Sequence, residues 1–497
     1  MFRRFLLRHE RGTLRTLEIL PGLISWNLIL FPYWGIFVFP LVVAYFVLLF
    51  DIYWFYQSLQ IALTATLSHL RVQASMKYDW LGDVKNFPDW EKVRHIIIIP
   101  TYKEPLHILE RTLNSVAQQT FPKKQLVVVL AMEKKEPEED RLQKVKALKQ
   151  KFGGVFGYFI VTVHTLVPGE VVGKASNERY AAIAVREKLI DTKKIDMAYT
   201  TITSCDADHT YHPNHFACLA YKFLDNPQRY NYFWQPAILF YNNIWKLPAL
   251  TRVPNTLASI WNLSQLPRKD RLINQQNYSL SFKLLHEAGY WDPDKIPEDW
   301  GIFFKAYYEK RGHIEVEPLY LPLYADAVES TSHLKTLKAQ YQQIKRWAWG
   351  VSDTPWIIFK YLTTPGVPFF DKTLRLIFVT WSHFLWPVNW FVITIGLTLP
   401  TLINPAFGRT TLGYTVPKIS SFILTMALGF LVVMLIIDRF YKPARPKEFP
   451  VWRALIMPLE FILMPVAGFL FTALPGIDAH TRLMLGKYIE YKVTEKV

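Results

Sequence analysis

Between Glu18 and Asp51 the chain carries no charged side chain, and Arg3, Arg4, Arg8, Arg11 and Arg15 precede that stretch. Residues 19–50 therefore exceed the roughly 20 residues that take a helix across a bilayer. After Asp51 the apolar character resumes to about Leu70, which predicts two helices turning between Phe31 and Pro40. A secretory-signal core is shorter than this. Arg71 and Lys77 follow, so the bias of basic residues assigns both flanks to the cytoplasm. The bland alternative is a buried helical hairpin in a soluble protein. Beyond Asp371, crossings are predicted near residues 374–399 and 419–437, and the loop 439–453, with Lys442, Arg445 and Lys447, returns to the cytoplasm. The last apolar segment, 454–474, is interrupted by Pro458, Glu460 and Pro465. An interfacial or re-entrant helix pair is expected there, with a fifth crossing as the alternative.

From about residue 90 to 365 the composition is that of a soluble α/β domain. Residues 94–100 (RHIIIIP) predict a strand buried on both faces, as in a parallel sheet. Helices at 104–119, 140–150 and 174–188 alternate with strands at 126–130, 155–163 and 198–204, and the ligand crevice of such an open sheet lies at the strand C-termini. The expected division is 1–75, 90–365, 366–475 and a tail, 476–497. The net charge of +16 allows nucleic acid as a partner, but the basic residues gather at membrane flanks, where anionic lipid accounts for them. Two cysteines, Cys205 and Cys218, exclude a disulfide framework.

Three short patterns carry candidate chemistry. Asp206-Ala207-Asp208 follows a strand and offers hard oxygen ligands to Mg²⁺ or Mn²⁺; a turn or helix-capping pair is the structural alternative. Glu298-Asp299-Trp300 opens a helical pattern, where Asp299 is either an N-cap or a base that takes a proton from a hydroxyl. Gln343-Ile344-Lys345-Arg346-Trp347 puts Gln343, Arg346 and Trp347 within one helical turn, suited to a diphosphate clamp with a flat wall or, more plainly, to a helix lying on the membrane. A transporter would instead need ionisable groups at mid-membrane, and Glu460 is the main candidate.

Together with Pro100-Thr101-Tyr102-Lys103-Glu104, these patterns resemble the membrane-embedded family 2 glycosyltransferases of the cellulose synthase and hyaluronan synthase type. The resemblance implies a GT-A domain, Rossmann-like and inserted between transmembrane helices, that binds a UDP-sugar on the cytoplasmic face. It implies that Thr101, Tyr102 and Glu104 hold base and ribose, with Glu133 where many relatives carry Asp. Lys174, in Gly173-Lys174-Ala175-Ser176-Asn177, approaches the nucleotide. Asp206 lies near the diphosphate and Asp208 ligates Mg²⁺ or Mn²⁺. Gln343, Arg346 and Trp347 bind the diphosphate side. Asp299 is the catalytic base, in a motif usually written T-E-D that appears here as Pro297-Glu298-Asp299. Glu298, Trp300, Trp347 and, on its strand, Trp234 face the acceptor. Tyr491 to Lys496 resembles a gating loop, with Val493, Thr494 and Lys496 as its candidates. The implied reaction is inverting transfer to a growing polysaccharide with coupled translocation across a bacterial inner membrane, accessory secretion partners being possible. The alternative is a single addition to a membrane lipid, and no nucleic acid is expected.

Overall fold

The computed structural model describes residues 1–396 and 398–490, so Val493, Thr494 and Lys496 lie outside the described residues. A short helix, Phe2–Arg8, leads into α1 (Glu10–Val38), and α2 (Pro40–Lys77) follows after a single turn residue, Phe39. The turn falls inside the expected window, and Pro40 starts α2 where a missing N–H costs nothing.

The domain that follows opens with β1 (Arg94–Thr101), α3 (Leu106–Ala117), β2 (Leu126–Glu133), α4 (Glu138–Phe152), β3 (Tyr158–His164), α5 (Lys174–Val185) and β4 (Thr200–Ser204). These strands pair in parallel, β1 between β2 and β4 and β3 outside β2. Ile96 to Ile99 are all buried, Ile97 and Ile99 in the core on one face of the sheet and Ile96 and Ile98 in that on the other. That is why the run has no polar alternation.

In the second half of the domain only the strand with Trp234, the helix opening at Glu298-Asp299 and the helical turn at 343–347 were expected. That half contains β5 (Thr210–Tyr211), α6 (His215–Asp225), β6 (Tyr232–Leu239), α7 (Ala249–Gln265), β7 (Tyr278–Ser281), α8 (Asp299–Glu309), β8 (Glu315–Tyr324) and α9 (His333–Ala348). β7 joins β4 antiparallel, so the eight-stranded sheet runs β3-β2-β1-β4-β7-β6-β8-β5. The change of direction beside β4 brings the segments after β4 and before β7 and α8 to one edge, where the charged motifs meet. This mixed α/β domain between long apolar helices is the expected fold class.

Two more long apolar helices follow, α10 (Phe369–Ile395) and α11 (Thr411–Tyr441). By length and composition five segments can cross a bilayer, the fifth being Val451–Met484. That segment is not one straight helix. It contains a 3₁₀ stretch, Met457–Leu463, and a π stretch, Phe469–Ala473, before α12 (Leu474–Met484). Near its start Glu460 pairs with Arg252 of α7 at 2.5 Å, and near its end Asp478 pairs with Lys345 of α9 at 3.1 Å. Between those anchors Gly468 packs so closely on the Trp390 indole of α10 that a Cβ would collide with it. Both anchors lie on the α/β domain, which fits a segment that enters and leaves the membrane on one face. Glu460, the candidate for transport, is committed to that ion pair.

Candidate functional site

At the head of α5, Lys174 projects into the crevice and draws three chain segments together. Its Nζ donates to the Gln276 carbonyl (2.7 Å) and lies 2.9 Å from Asp206 Oδ1 and 2.8 Å from Glu298 Oε1. Burial would lower the Lys174 pKa, but Asp206 and then Glu298 oppose it, and the ammonium is held well above its ordinary value. The cation is therefore fixed at neutral pH, where it is the counter-charge for a ring of carboxylates.

Asp299 begins α8 beside Glu298. Its Oδ1 accepts from the Trp300 N–H (2.8 Å) and its Oδ2 from the Gln276 N–H (3.1 Å). Gln276 holds a positive φ of 55°, a conformation that turns both its N–H and its carbonyl to the site. Burial, then the charge of Glu298, push the Asp299 carboxyl up to about 7 against these hydrogen bonds. A carboxylate poised there is a fit general base.

The D-A-D turn is held from behind. Asp208 is buried, its Oδ2 accepts from the Asp326 N–H (2.9 Å), and its carbonyl accepts from Asn242 Nδ2 (3.0 Å). Arg111 pairs with Asp326 at 2.6 Å. Asp206, Asp208 and His209 bring ligand atoms within 4.8 Å of one another. Two carboxylates and an imidazole at that spacing fit a divalent cation such as Mn²⁺ or Mg²⁺. His209 was not singled out from the sequence, although it is adjacent to the motif.

Gln343, Arg346 and Trp347 sit on α9. Gln343 is buried, with Oε1 lacking a partner among the described residues, and Trp347 packs on Phe240 with ring centroids 5.5 Å apart. Lys174, Asp206, Glu298, Asp299, Trp300, Arg346 and Trp347 line a single cavity of about 1110 Å³. The same cavity continues between the long apolar helices, past Tyr53 and Trp54 of α2, Trp381, Trp386 and Trp390 of α10, and Ser420 and Leu424 of α11.

The remaining expected residues lie elsewhere. Thr101, at the end of β1, donates to Glu104 Oε2 (2.7 Å), which also accepts the Tyr102 N–H. These three form a local turn outside that cavity. Trp234 does not line a groove: it is fully buried, and its indole N–H donates to Glu317 Oε2 (3.1 Å). The acceptor-side expectation for Trp234 is thus corrected to core packing, because β6 is buried on both faces of the sheet. Glu133 is already engaged, with Oε1 3.2 Å from His164 Nδ1, while His164 Nε2 lies 3.0 Å from Glu170 Oε2.

Burial opposes protonation of His164, but Glu133 and Glu170 prevail and raise its pKa above 6.5. A raised histidine adds stability that is fully present below the unfolded value and is lost as pH rises through the folded one. The melting temperature should therefore fall more for the wild type than for His164→Gln as pH rises above about 6.5. Parallel pH profiles of the two would refute the assignment.

Residues 201–437, a little under half of the chain, match the family model described as glycosyl transferase family group 2. The match holds the D-A-D, E-D-W and Q-x-x-R-W segments and leaves out residues 94–174. No curated protein matches the chain. Among solved structures, a mannosyltransferase from Pyrobaculum calidifontis in complex with GDP-Man and Mn²⁺ is 14% identical, covering 80% of this chain and 100% of its own, with a TM-score of 0.45. S. aureus TarS 1-349 in complex with UDP-GlcNAc is 14% identical over 80% of this chain and 94% of its own, with a TM-score of 0.34. Those two likenesses are too distant to carry an argument about substrate. That match puts Asp206, Asp208, Glu298, Asp299 and Arg346 inside a segment similar to family 2 glycosyltransferases.

Proposed function

We propose that the chain is an inverting membrane glycosyltransferase that transfers a sugar from a UDP-sugar to a growing polysaccharide and moves the product through its own membrane helices. The observation that carries this reading is the single cavity joining Asp299 to the aromatic rings between α2, α10 and α11. Flat rings suit sugar faces, and the cavity extends from Asp299 along them. In this reading Asp299 takes the proton of the acceptor hydroxyl, which attacks the anomeric carbon opposite the diphosphate. Glu298, Trp300 and Trp347 orient the acceptor. Lys174, Gln343 and Arg346 hold the diphosphate, while Thr101, Tyr102, Glu104 and Glu133 face the nucleoside end. Asp208 and Asp206 would hold Mg²⁺ or Mn²⁺, which when bound neutralises the charge that gathers on the leaving diphosphate. The domain works on the cytoplasmic side, where the basic flanks lie.

A second reading has its own support. Leu424, Leu428 and Leu431 of α11 and Ile393 of α10 give the membrane half of the cavity an aliphatic wall, which suits the tail of a lipid acceptor. Product size separates the two. Protein in lipid vesicles, supplied with labelled UDP-sugars and Mn²⁺, is expected to make a high-mass product; one sugar on an extractable lipid would replace the first reading with the second.

A further inference from the structure

Glu178 lies one helical turn after Lys174 on α5 and is fully buried, with the Ser204 hydroxyl beside its carboxylate. For packing alone an apolar side chain would serve better at such a place. Its Oε1 is 3.9 Å from Lys174 Nζ. The groups that face it are Lys174 from its own helix, Ser204 and Asp206 from the end of β4, Glu298 from the start of α8 and Tyr278 from β7. Lys174 already has three close oxygen partners, on Gln276, Asp206 and Glu298. A ligand that draws Asp206 away removes one of the carboxylates that balance the ammonium inside the protein.

We propose that Glu178 is the reserve counter-ion of Lys174, which moves onto it when a nucleoside diphosphate and a divalent cation take Asp206. The inference rests on the donor and cation reading of Asp206 given above. Before binding, Glu178 is the neutral acid: burial raises its pKa, Lys174 opposes, and Glu298 adds to the rise, leaving it at about 8. After binding, its O–H bond breaks, the proton passes to the buffer, and the carboxylate pairs with the ammonium at close range. Lys174 thereby stays beside the diphosphate, and donor binding is linked to the release of one proton.

Calorimetry tests this on the full chain in lipid discs, titrated with UDP and Mn²⁺ in two buffers of different ionisation enthalpy. At about pH 7 the wild type is expected to release close to one proton more than Glu178→Gln. In the wild type alone that release should shrink between about pH 8 and 9, because Glu178 then starts ionised. Equal release by the two proteins overturns the proposal, as does a wild-type release that does not change with pH, a result that stands even where the variant does not fold. Binding of UDP and Mn²⁺ without this release removes only the role of Glu178. Absence of any wild-type binding removes the donor reading as well.

Discussion

Asp299→Asn is expected to lower the rate of sugar transfer by about 10²- to 10⁴-fold while UDP affinity changes only a few-fold. Asparagine keeps the shape of the side chain but cannot take the acceptor proton. Its amide also turns an N–H toward one of the two backbone donors, Trp300 N or Gln276 N, which costs about 1 kcal/mol of local stability and little rate. The wild-type pH profile gives an independent reading. With the carboxyl at about 7, transfer should rise nearly tenfold per pH unit below that value and level off above it, because only the ionised form accepts a proton. In Asp299→Asn the rising limb should be absent. Single-turnover transfer from labelled UDP-sugar measures both, and a variant with near wild-type turnover would move the base to another group.

How much of this was legible beforehand follows from how local each signal is. The four-isoleucine run and the helix–strand alternation up to residue 204 were legible because periodicity and burial are properties of neighbouring residues. The apolar helices were legible for the same reason. From β5 onward the strands are short or interrupted by proline, as at Pro236, Pro318 and Pro322, and their order depends on pairing between distant segments. That order was out of reach. The motifs stood out through residue type and spacing, yet their joint meaning is carried by Lys174, which ties Asp206 to Glu298 across 92 residues of chain. Nothing local announces that contact. Trp234 was misjudged because β6 is buried on both faces of the sheet, a fact that depends on what packs over each face and not on the strand's own residues. The contact of Glu133 with His164 was out of reach for the same reason, because His164 ends the neighbouring strand and only the parallel pairing of β2 with β3 brings them side by side.

Removal of divalent cations is expected to stop transfer, and Mn²⁺ or Mg²⁺ to restore it. The chemistry at the D-A-D turn sets the size of the effect. Asp208 is fixed by the Asp326 N–H and buried, so it presents a carboxylate in a set position, whereas Asp206 is shared with the Lys174 ammonium. A cation there would face negative oxygens of a kind it prefers, close to the leaving diphosphate, where charge stabilisation is worth several kcal/mol in the transition state. Loss of transfer below about one part in a hundred therefore follows from chelation. Asp208→Asn keeps the oxygen that accepts from Asp326 but loses the charge, so the cation concentration for half-maximal transfer should rise about tenfold or more, with thermal stability of the protein nearly unchanged. Asp206→Asn should produce a smaller rise, because it also frees Lys174 from a partner and leaves Asp208 in place. Transfer that persists under chelation would make the turn a structural cap and would leave Lys174 and Arg346 as the sources of positive charge for the leaving group.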